Sequence, residues 1–393
     1  MDFYKIDKIN LDHFLCAKFA MLERMKQPAR ITWNYLRGFI EADGSFHFFS
    51  SGKPGGCEIR FGQKANRTLL AMISAFLSSE GFTHCLDPET PRTSSNKGRA
   101  PVLRVQGRLQ CARFLKLMRE NSTDNFLFLG VKARTFMLFE LIVSTTKYTP
   151  AQFIGLRMSM HKSHRNEPDL LPSSNMRTRE QREADWDLPP GESYRSTEHL
   201  IQPIDENYDN FQAEIREGIQ NKTLNVSGEF MAGVMDGDSN IFVRPLIPGP
   251  ASNYRNTFNW ESRGFVIYSD GRSKLVLEAL AYMLNSNSRP NAHGSDGVIG
   301  SHTIVMGTRA SYEAFKEKVA PYMCGEYKIQ QYQVLESFYT LLDKKMLRDY
   351  DAVVWMINKI YDLVERQTKG RARASNRQQM LEAARMFYGS FDN

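Results

Sequence analysis

Three patterns are absent from this chain of 393 residues, and each absence excludes a class of protein. The five cysteines are scattered, with no Cys-x-x-Cys pair, which argues against a zinc site or a disulfide framework and fits a reducing compartment. No apolar run approaches the roughly 20 residues that a membrane helix needs, so no membrane partner is expected. The first residues contain neither a secretory signal nor an Arg- and Ser-rich presequence, which predicts synthesis in the compartment where the protein works.

Charge is distributed unevenly along the chain. Residues 161–227 contain 13 acidic and 8 basic side chains, so this stretch carries −5 and the rest of the chain +12. The stretch also contains five prolines and many Ser, Asn and Asp residues, which predicts a linker with local structure around Tyr208–Ile219. A basic body suits a polyanionic partner, although many basic proteins bind no nucleic acid.

A nine-residue pattern occurs twice, at 36–44 (Leu-Arg-Gly-Phe-Ile-Glu-Ala-Asp-Gly) and at 231–239 (Met-Ala-Gly-Val-Met-Asp-Gly-Asp-Ser). Each copy predicts a helix with two small residues four apart on one face. Small residues there allow two helices to approach more closely than the usual axis separation of about 8–10 Å. The predicted contact consists of Gly38, Ala42, Gly233 and Gly237.

Two helices packed through these faces would bring Asp43 and Asp238 side by side. Close carboxylates repel each other, and a negative charge at a helix C-terminus opposes the helix dipole. A divalent cation would remove both penalties and supply chemistry. The alternative is two ordinary buried helices that end on acids by chance, and the duplication of the pattern argues against it.

The stretches after the two motifs have the same order of elements, which predicts an α+β protein with two αββαββα halves. From the motif Asp to a strand ending in glycine there are 64 residues in the first half and 69 in the second. From the same Asp to a lysine that opens a long apolar helix there are 89 and 90 residues, and these lysines are Lys132 and Lys328. The first half has predicted strands at Ser45–Ser50, Glu58–Gln63, Thr83–Leu86 and Ala100–Gly107.

One face of the predicted first sheet is polar. Arg60, Arg104 and Gln106 alternate with apolar residues and therefore share the face opposite the core. In the DNA major groove, Arg reads guanine and Gln reads adenine. A sheet face that is merely solvated would show the same alternation, so the pattern alone leaves both interpretations open.

The two motifs resemble those of the double-motif LAGLIDADG homing endonucleases. The resemblance extends from Trp33 to Leu363 except for the linker, and residues 59–64 and 129–132 are similar to later segments of single-chain members. It implies two pseudo-symmetric halves, with the motif helices at their interface and a saddle-shaped pair of antiparallel sheets on the DNA. The expected parts are an N-terminal extension, a first half, a linker, a second half and a C-terminal helical extension, at 1–30, 31–160, 161–227, 228–345 and 346–393.

The resemblance also implies a catalytic site and its partner. Asp43 and Asp238 would bind Mg²⁺, Lys132 and Lys328 match basic residues near the active site, and Gln63 matches a polar residue that arranges metal-bound water. Contacts to DNA would come from Arg60, Arg104, Gln106 and Lys64. The implied partner is double-stranded DNA with a long asymmetric target, cut by a monomer.

Two departures from the family pattern bear on activity. Ser239 replaces the last glycine of the second motif, where glycine would tolerate a positive φ, and Ser269-Asp270 replaces the Gln63-Lys64 pair. The retained acids favour an endonuclease. The resemblance further implies that the gene lies in an intron and that the protein is located in an organelle such as a mitochondrion or chloroplast. The alternatives are a maturase that binds intron RNA and a structural nucleic-acid-binding subunit, for example of a ribosome; neither needs the two acids.

Overall fold

The first half of the chain has the predicted order of helices and strands. The computed structural model describes residues 30–49, 56–63, 67–88, 100–145, 147–163, 197–246, 258–270, 274–286, 289–295, 298–305, 307–367 and 376–389. The first four strands are β1 Gly44–Phe49, β2 Gly56–Gly62, β3 His84–Asp87 and β4 Val102–Gln106. The helices are α1 Trp33–Asp43, α2 Arg67–Ser79, α3 Arg108–Glu120, α4 Val131–Ser144 and α5 Pro150–Ser163.

The four strands form one antiparallel sheet in the order β1-β2-β4-β3. Ile59 and Phe61 of β2 are fully buried, so this side of the sheet faces the core. Arg60 pairs with Arg104 across β2 and β4, and Gln106 lies two residues further along the same face. The alternation predicted from the sequence is therefore confirmed, because the polar residues lie opposite the apolar ones.

Aromatic side chains fix helix α1 to its own sheet and helices. The ring of Trp33, in the first turn, makes edge-to-face contacts with Phe76, Phe82 and Phe114 at centroid distances of 5.3, 6.1 and 5.2 Å. Such pairs contribute about 0.5–1.5 kcal/mol beyond the burial of their area. One side of α1 is therefore committed to the core of the first half, and its small-residue side is left for another partner.

The second half repeats the first. The helices that follow α5 are α6 Glu198–Gln220, α7 Gly228–Asp238, α8 Lys274–Met283, α9 Arg309–Lys318, α10 Glu326–Asp343, α11 Tyr350–Gln367 and α12 Arg377–Gly389. Four strands form an antiparallel sheet in the order β5-β6-β8-β7: β5 Ser239–Leu246, β6 Asn259–Asp270, β7 Asn291–Ser295 and β8 Val298–Val305. Because both sheets have the same strand order, the two αββαββα halves are confirmed.

The predicted linker contains the long helix α6, whose 23 residues extend well beyond the local structure expected from the sequence. It packs against α4 and α5 of the first half and against α8 of the second. The side chains of Ile201 and Ile215 are buried, so an apolar stripe was present among the prolines and charges. The local structure predicted around Tyr208–Ile219 therefore lies within a helix that is longer than expected, and the domain boundaries themselves stay predictions.

The described part of the C-terminal extension packs on the second half. The ring of Phe387 in α12 contacts that of Phe258 at 6.0 Å, and Arg377 forms an ion pair with Asp362 of α11 at 2.6 Å. Nearly all of the N-terminal extension, up to residue 29, and the basic residues within 369–373 lie outside the described residues. The four described cysteines are free thiols, and no described helix is long and apolar enough to cross a bilayer.

Candidate active site

Helices α1 and α7 pack against each other almost backbone to backbone. A Cβ atom built on Gly38 would lie 1.8 Å from a backbone oxygen of α7, and one on Gly233 would lie 2.1 Å from a backbone oxygen of α1. A Cβ on Gly237 would lie 2.5 Å from the Cβ of Ala42. These distances leave no room for side chains, so the four small residues of the two motifs make the helix–helix contact.

This packing brings the C-terminal ends of the two helices together. Asp43 and Asp238 are the last residues of α1 and α7, and a Cβ on Gly237 would lie 3.6 Å from the Cβ of Asp43. Gln63 Nε2 donates a hydrogen bond to Asp43 Oδ2 at 2.9 Å and reaches the carbonyl oxygen of Asp236 at 3.5 Å. Gln63 therefore contacts both halves where the C-terminal ends of the two helices lie together.

The residue after each motif acid has an extended backbone. Gly44 has φ −82° and Ser239 has φ −119°, so the expectation that this position exploits a positive φ is wrong. A Cβ on Gly44 would lie 2.5 Å from the Cα of Ile40, so glycine is needed there for space. The Ser239 hydroxyl instead donates to the carbonyl oxygen of Met235, and the serine is accommodated without backbone strain.

Lysines from both halves lie beside the acids. Lys132, near the start of α4, is almost buried, and its Nζ donates to the carbonyl oxygen of Gly44. Lys328 is near the start of α10; burial lowers its pKa, whereas the charges of Asp236, Asp238 and Asp43 raise it. The two motif acids and the two predicted lysines therefore form one cluster at the seam between the halves.

Asp43 is exposed to solvent, yet the surrounding protein removes part of the hydration of its carboxyl group. This desolvation raises its pKa to about 6, although Lys132, Lys328 and the hydrogen bond from Gln63 act in the opposite direction. The surrounding structure therefore disfavours the charged form of Asp43 unless another positive charge is present.

A buried acid of α1 holds the helix that carries Lys132. Glu41 Oε2 accepts a hydrogen bond from the backbone N–H of Leu129 at 2.7 Å, and its Oε1 accepts one from Gly130 at 3.2 Å. These N–H groups immediately precede α4, at the helix end that favours a negative charge. This role of Glu41 was not predicted from the sequence.

Asp236 of α7 likewise holds the start of α10, the helix that carries Lys328. Its Oδ2 accepts hydrogen bonds from the backbone N–H groups of Cys324 and Gly325, both at 2.8 Å, and from the hydroxyl of Tyr35 at 2.6 Å. Burial raises the pKa of both Asp236 and Tyr35. Glu41 and Asp236 each lie two positions before the last Asp of their motif. This repeated spacing is the sequence signal that could have identified both residues.

On the polar face of the first sheet, the predicted DNA-contacting residues surround an acid. Glu58, whose side chain is 1% exposed, forms an ion pair with Arg60 and approaches Arg104 at 3.7 Å. Gln106 Nε2 donates to Glu58 Oε2 at 3.0 Å, and Arg104 also pairs with Asp87 at 2.5 Å. Lys64, the fourth predicted contact, and the side chains of 269 and 270 lie outside the described part of the chain.

The chemistry of the two motif acids suits a hard divalent cation. Asp43 and Asp238 offer carboxylate oxygens at a place that solvent reaches. Among the described residues, no group of three or more His, Cys, Asp and Glu side chains is arranged to hold a metal. Mg²⁺ is commonly bound by one or two carboxylates, with waters and substrate phosphates completing its coordination. The two acids therefore fit an ion that is shared with a phosphate substrate.

The pKa of Asp43 predicts how pH affects stability in the absence of metal. An acid with a raised folded-state pKa contributes its full stabilisation below the unfolded pKa, and this is lost as pH rises through about 6. We therefore expect Asp43→Asn to melt at a higher temperature than the parent at pH 8, and the difference to shrink at pH 5. Equal differences at both pH values would contradict the assigned pKa. Added Mg²⁺ should raise the melting temperature of the parent at pH 8 more than that of the variant.

Comparisons with known proteins identify the architecture. No protein-family model and no curated protein sequence matches the chain. Among solved structures, the meganuclease I-SmaMI bound to an uncleavable DNA matches with a TM-score of 0.54 and 15% identity, covering 86% of this chain and 99% of its own. The LAGLIDADG homing endonuclease I-GzeII in complex with its DNA target matches with a TM-score of 0.51 and 14% identity, covering 87% and 100%. The meganuclease I-AabMI bound to uncleaved DNA gives 0.52 and 13%, covering 86% and 100%.

These matches extend over nearly the whole of each solved chain, so they include both halves and the motif helices between them. At 13–15% identity they establish architecture, and activity has to be argued from the site. The protein has the fold of the single-chain LAGLIDADG homing endonucleases.

Proposed function

We propose that this protein is a site-specific endonuclease that binds double-stranded DNA across its two sheets and hydrolyses one phosphodiester bond in each strand. The observation that carries the proposal is the cluster of Asp43, Asp238, Lys132 and Lys328 at the seam between the halves. Solved proteins of the same fold are bound to DNA targets. Because one chain contains two halves of different sequence, a monomer would recognise a long target without symmetry.

Each residue of the cluster has a distinct part in the proposed hydrolysis. Asp43 and Asp238 would hold Mg²⁺, and this ion would supply activation of a water molecule at neutral pH and charge stabilisation at the phosphate. Gln63 orients the Asp43 carboxylate through its hydrogen bond. Lys132 and Lys328 place positive charge where negative charge develops on the phosphate oxygens. Burial lowers the pKa of Lys328, which brings this ammonium closer to the range in which it can transfer a proton.

The lysines assist the reaction, so their loss should cost less than the loss of the acids. We expect Lys132→Met and Lys328→Met each to slow single-turnover cleavage by about 10²-fold to 10³-fold, the usual cost of removing one group that stabilises the transition state. Affinity for the target should change much less, because each variant removes only one of the many positive charges that attract the DNA. Parent-like cleavage by either variant would show that its lysine is outside the reacting site.

The direct test is cleavage of a library of duplexes with Mg²⁺ and with EDTA. We propose that the gene lies in an intron of an organellar genome, so the library should include the intronless form of the host gene. We expect cutting of one member in Mg²⁺ and none in EDTA. Binding should weaken as salt rises, because the chain outside the acidic stretch carries +12. The proposal falls if the protein cuts no duplex and instead binds structured RNA tightly or remains in a ribonucleoprotein.

A further inference from the structure

A buried carboxylate lies in the middle of a surface that, on the proposed function, meets phosphates. Only 1% of the Glu58 side chain is exposed, yet it belongs to the polar face of β2. Burying an acid is costly unless positive or donor groups compensate for it, and a negative charge facing DNA repels it. Glu58 therefore weakens the general affinity of this surface for DNA, so its presence there must serve a purpose other than affinity.

The neighbours of Glu58 are the three described residues that the sequence predicted to contact DNA. Arg60 directs both Nε and Nη2 to Glu58 Oε1, and Gln106 donates to the other oxygen at 3.0 Å. Arg104 is held between Glu58 at 3.7 Å and Asp87 at 2.5 Å. The side chains of Arg60 and Arg104 remain 38% and 26% exposed, so a ligand can still reach them.

We infer that Glu58 is a positioning residue that makes recognition by Arg60, Arg104 and Gln106 specific for DNA sequence; this inference rests on the proposed function. An arginine side chain that is free to move can bind phosphates on DNA of any sequence. An arginine that is fixed by an acid instead presents its hydrogen-bond donors in one position. The two arginines are balanced by Glu58 and Asp87, so the group has no net charge with which to attract the backbone. Fixing the side chains beforehand also removes much of their entropic cost on binding.

The second sheet has a related arrangement. Arg244 of β5 pairs with Glu261 of β6 at 2.5 Å, directly across the strands, and the arginine side chain remains 56% exposed. On both sheets, therefore, an exposed arginine forms an ion pair with an acid that lies beside it in the sheet. The first sheet gives the stronger test, because there one acid serves three side chains.

The experiment uses Glu58→Gln in the full chain, since glutamine keeps the shape and removes the charge. Binding is measured in EDTA to the target and to every single-base-pair variant of it. We expect discrimination to fall about tenfold or more at one to three base pairs, the range expected for lost base contacts, and to be unchanged elsewhere. Affinity for unrelated DNA should rise, because a negative charge has been removed. Arg60→Ala should lose discrimination at some of the same base pairs, and adding Glu58→Gln to it should cause no further loss there.

The matched control is Glu120→Gln, which removes the same charge from an exposed ion pair on α3. It should leave discrimination unchanged at every position. If Glu58→Gln melts far below the parent, Asp87→Asn replaces it, because this 46% exposed acid holds Arg104 from the other side. Unchanged discrimination in the folded variant, or a loss spread evenly over the target, would overturn the inference. A parent that binds no duplex at all would overturn the proposed function, and the inference with it.

Discussion

In the Asp43→Asn variant, and equally in Asp238→Asn, we expect double-strand cleavage in Mg²⁺ to fall by about 10³-fold or more. The amide keeps the shape of the side chain but lacks the negative charge that a hard cation needs. Losing the ion forfeits several kcal/mol of stabilisation at the reacting phosphate, and about 1.4 kcal/mol corresponds to a factor of ten in rate. The rate is measured under single-turnover conditions on the target identified from the duplex library.

Two accompanying measurements separate lost chemistry from lost structure. Neither substitution should lower the melting temperature, because each removes one of two close like charges. Affinity for the target without metal should be equal or slightly higher, because a negative charge near the phosphates has gone. Asp209→Asn, on the exposed side of α6, makes the same chemical change away from the cluster and should cut like the parent. Parent-like cleavage by Asp43→Asn or Asp238→Asn would contradict the proposed site.

The second large effect concerns the helix contact itself. Gly38→Ala and Gly233→Ala would each place a methyl group about 2 Å from a backbone oxygen of the opposite helix, where no side-chain movement can relieve the overlap. The helices must then separate, and we expect a loss of about 1–3 kcal/mol or more in the free energy of unfolding. Cleavage should fall as well, because the same separation moves Asp43 away from Asp238. Denaturant unfolding and the cleavage assay measure the two effects.

Gly218→Ala is the matched control, since it adds the same methyl group to a glycine within a helix. Its Cβ would lie 3.4 Å from the Cβ of Leu224, which is an ordinary contact. Alanine is favoured over glycine in a helix by about 0.5–1 kcal/mol, so this variant should be slightly more stable than the parent. If Gly38→Ala were as stable as Gly218→Ala, the helices could not pack as closely as described.

The features that could be predicted from the sequence are those set by short-range spacing. The four-residue interval between Gly233 and Gly237 specifies one helix face, and the same interval between Gly38 and Ala42 specifies its partner. Alternation along β2 likewise determined which side of the sheet Arg60 occupies. Such patterns depend on the periods of the helix and the strand, which are the same wherever the element lies in a fold.

The roles that were missed depend on partners distant in the sequence. Arg37 belongs to the first motif, yet it is fully buried, and its Nη1 pairs with Asp124 at 3.3 Å while its Nε donates to the carbonyl oxygen of Leu127 at 3.0 Å. The guanidinium also lies against the rings of Phe126 and Phe230 at 5.5 and 5.4 Å. Arginine is mostly exposed in proteins, and no local period indicates a loop that returns almost 90 residues later.

Helix α6 has a consequence for recombination between this protein and others of the same fold. A chimera joined between residues 163 and 197 would separate α6 from the first half and lose the Arg134–Asp205 ion pair and the hydrogen bond from Gln212 to the Leu129 carbonyl oxygen. A junction between 220 and 228 would keep those contacts but place α6 against a foreign surface instead of α8. The two halves are therefore not freely interchangeable modules, and any hybrid requires one side of α6 to be redesigned.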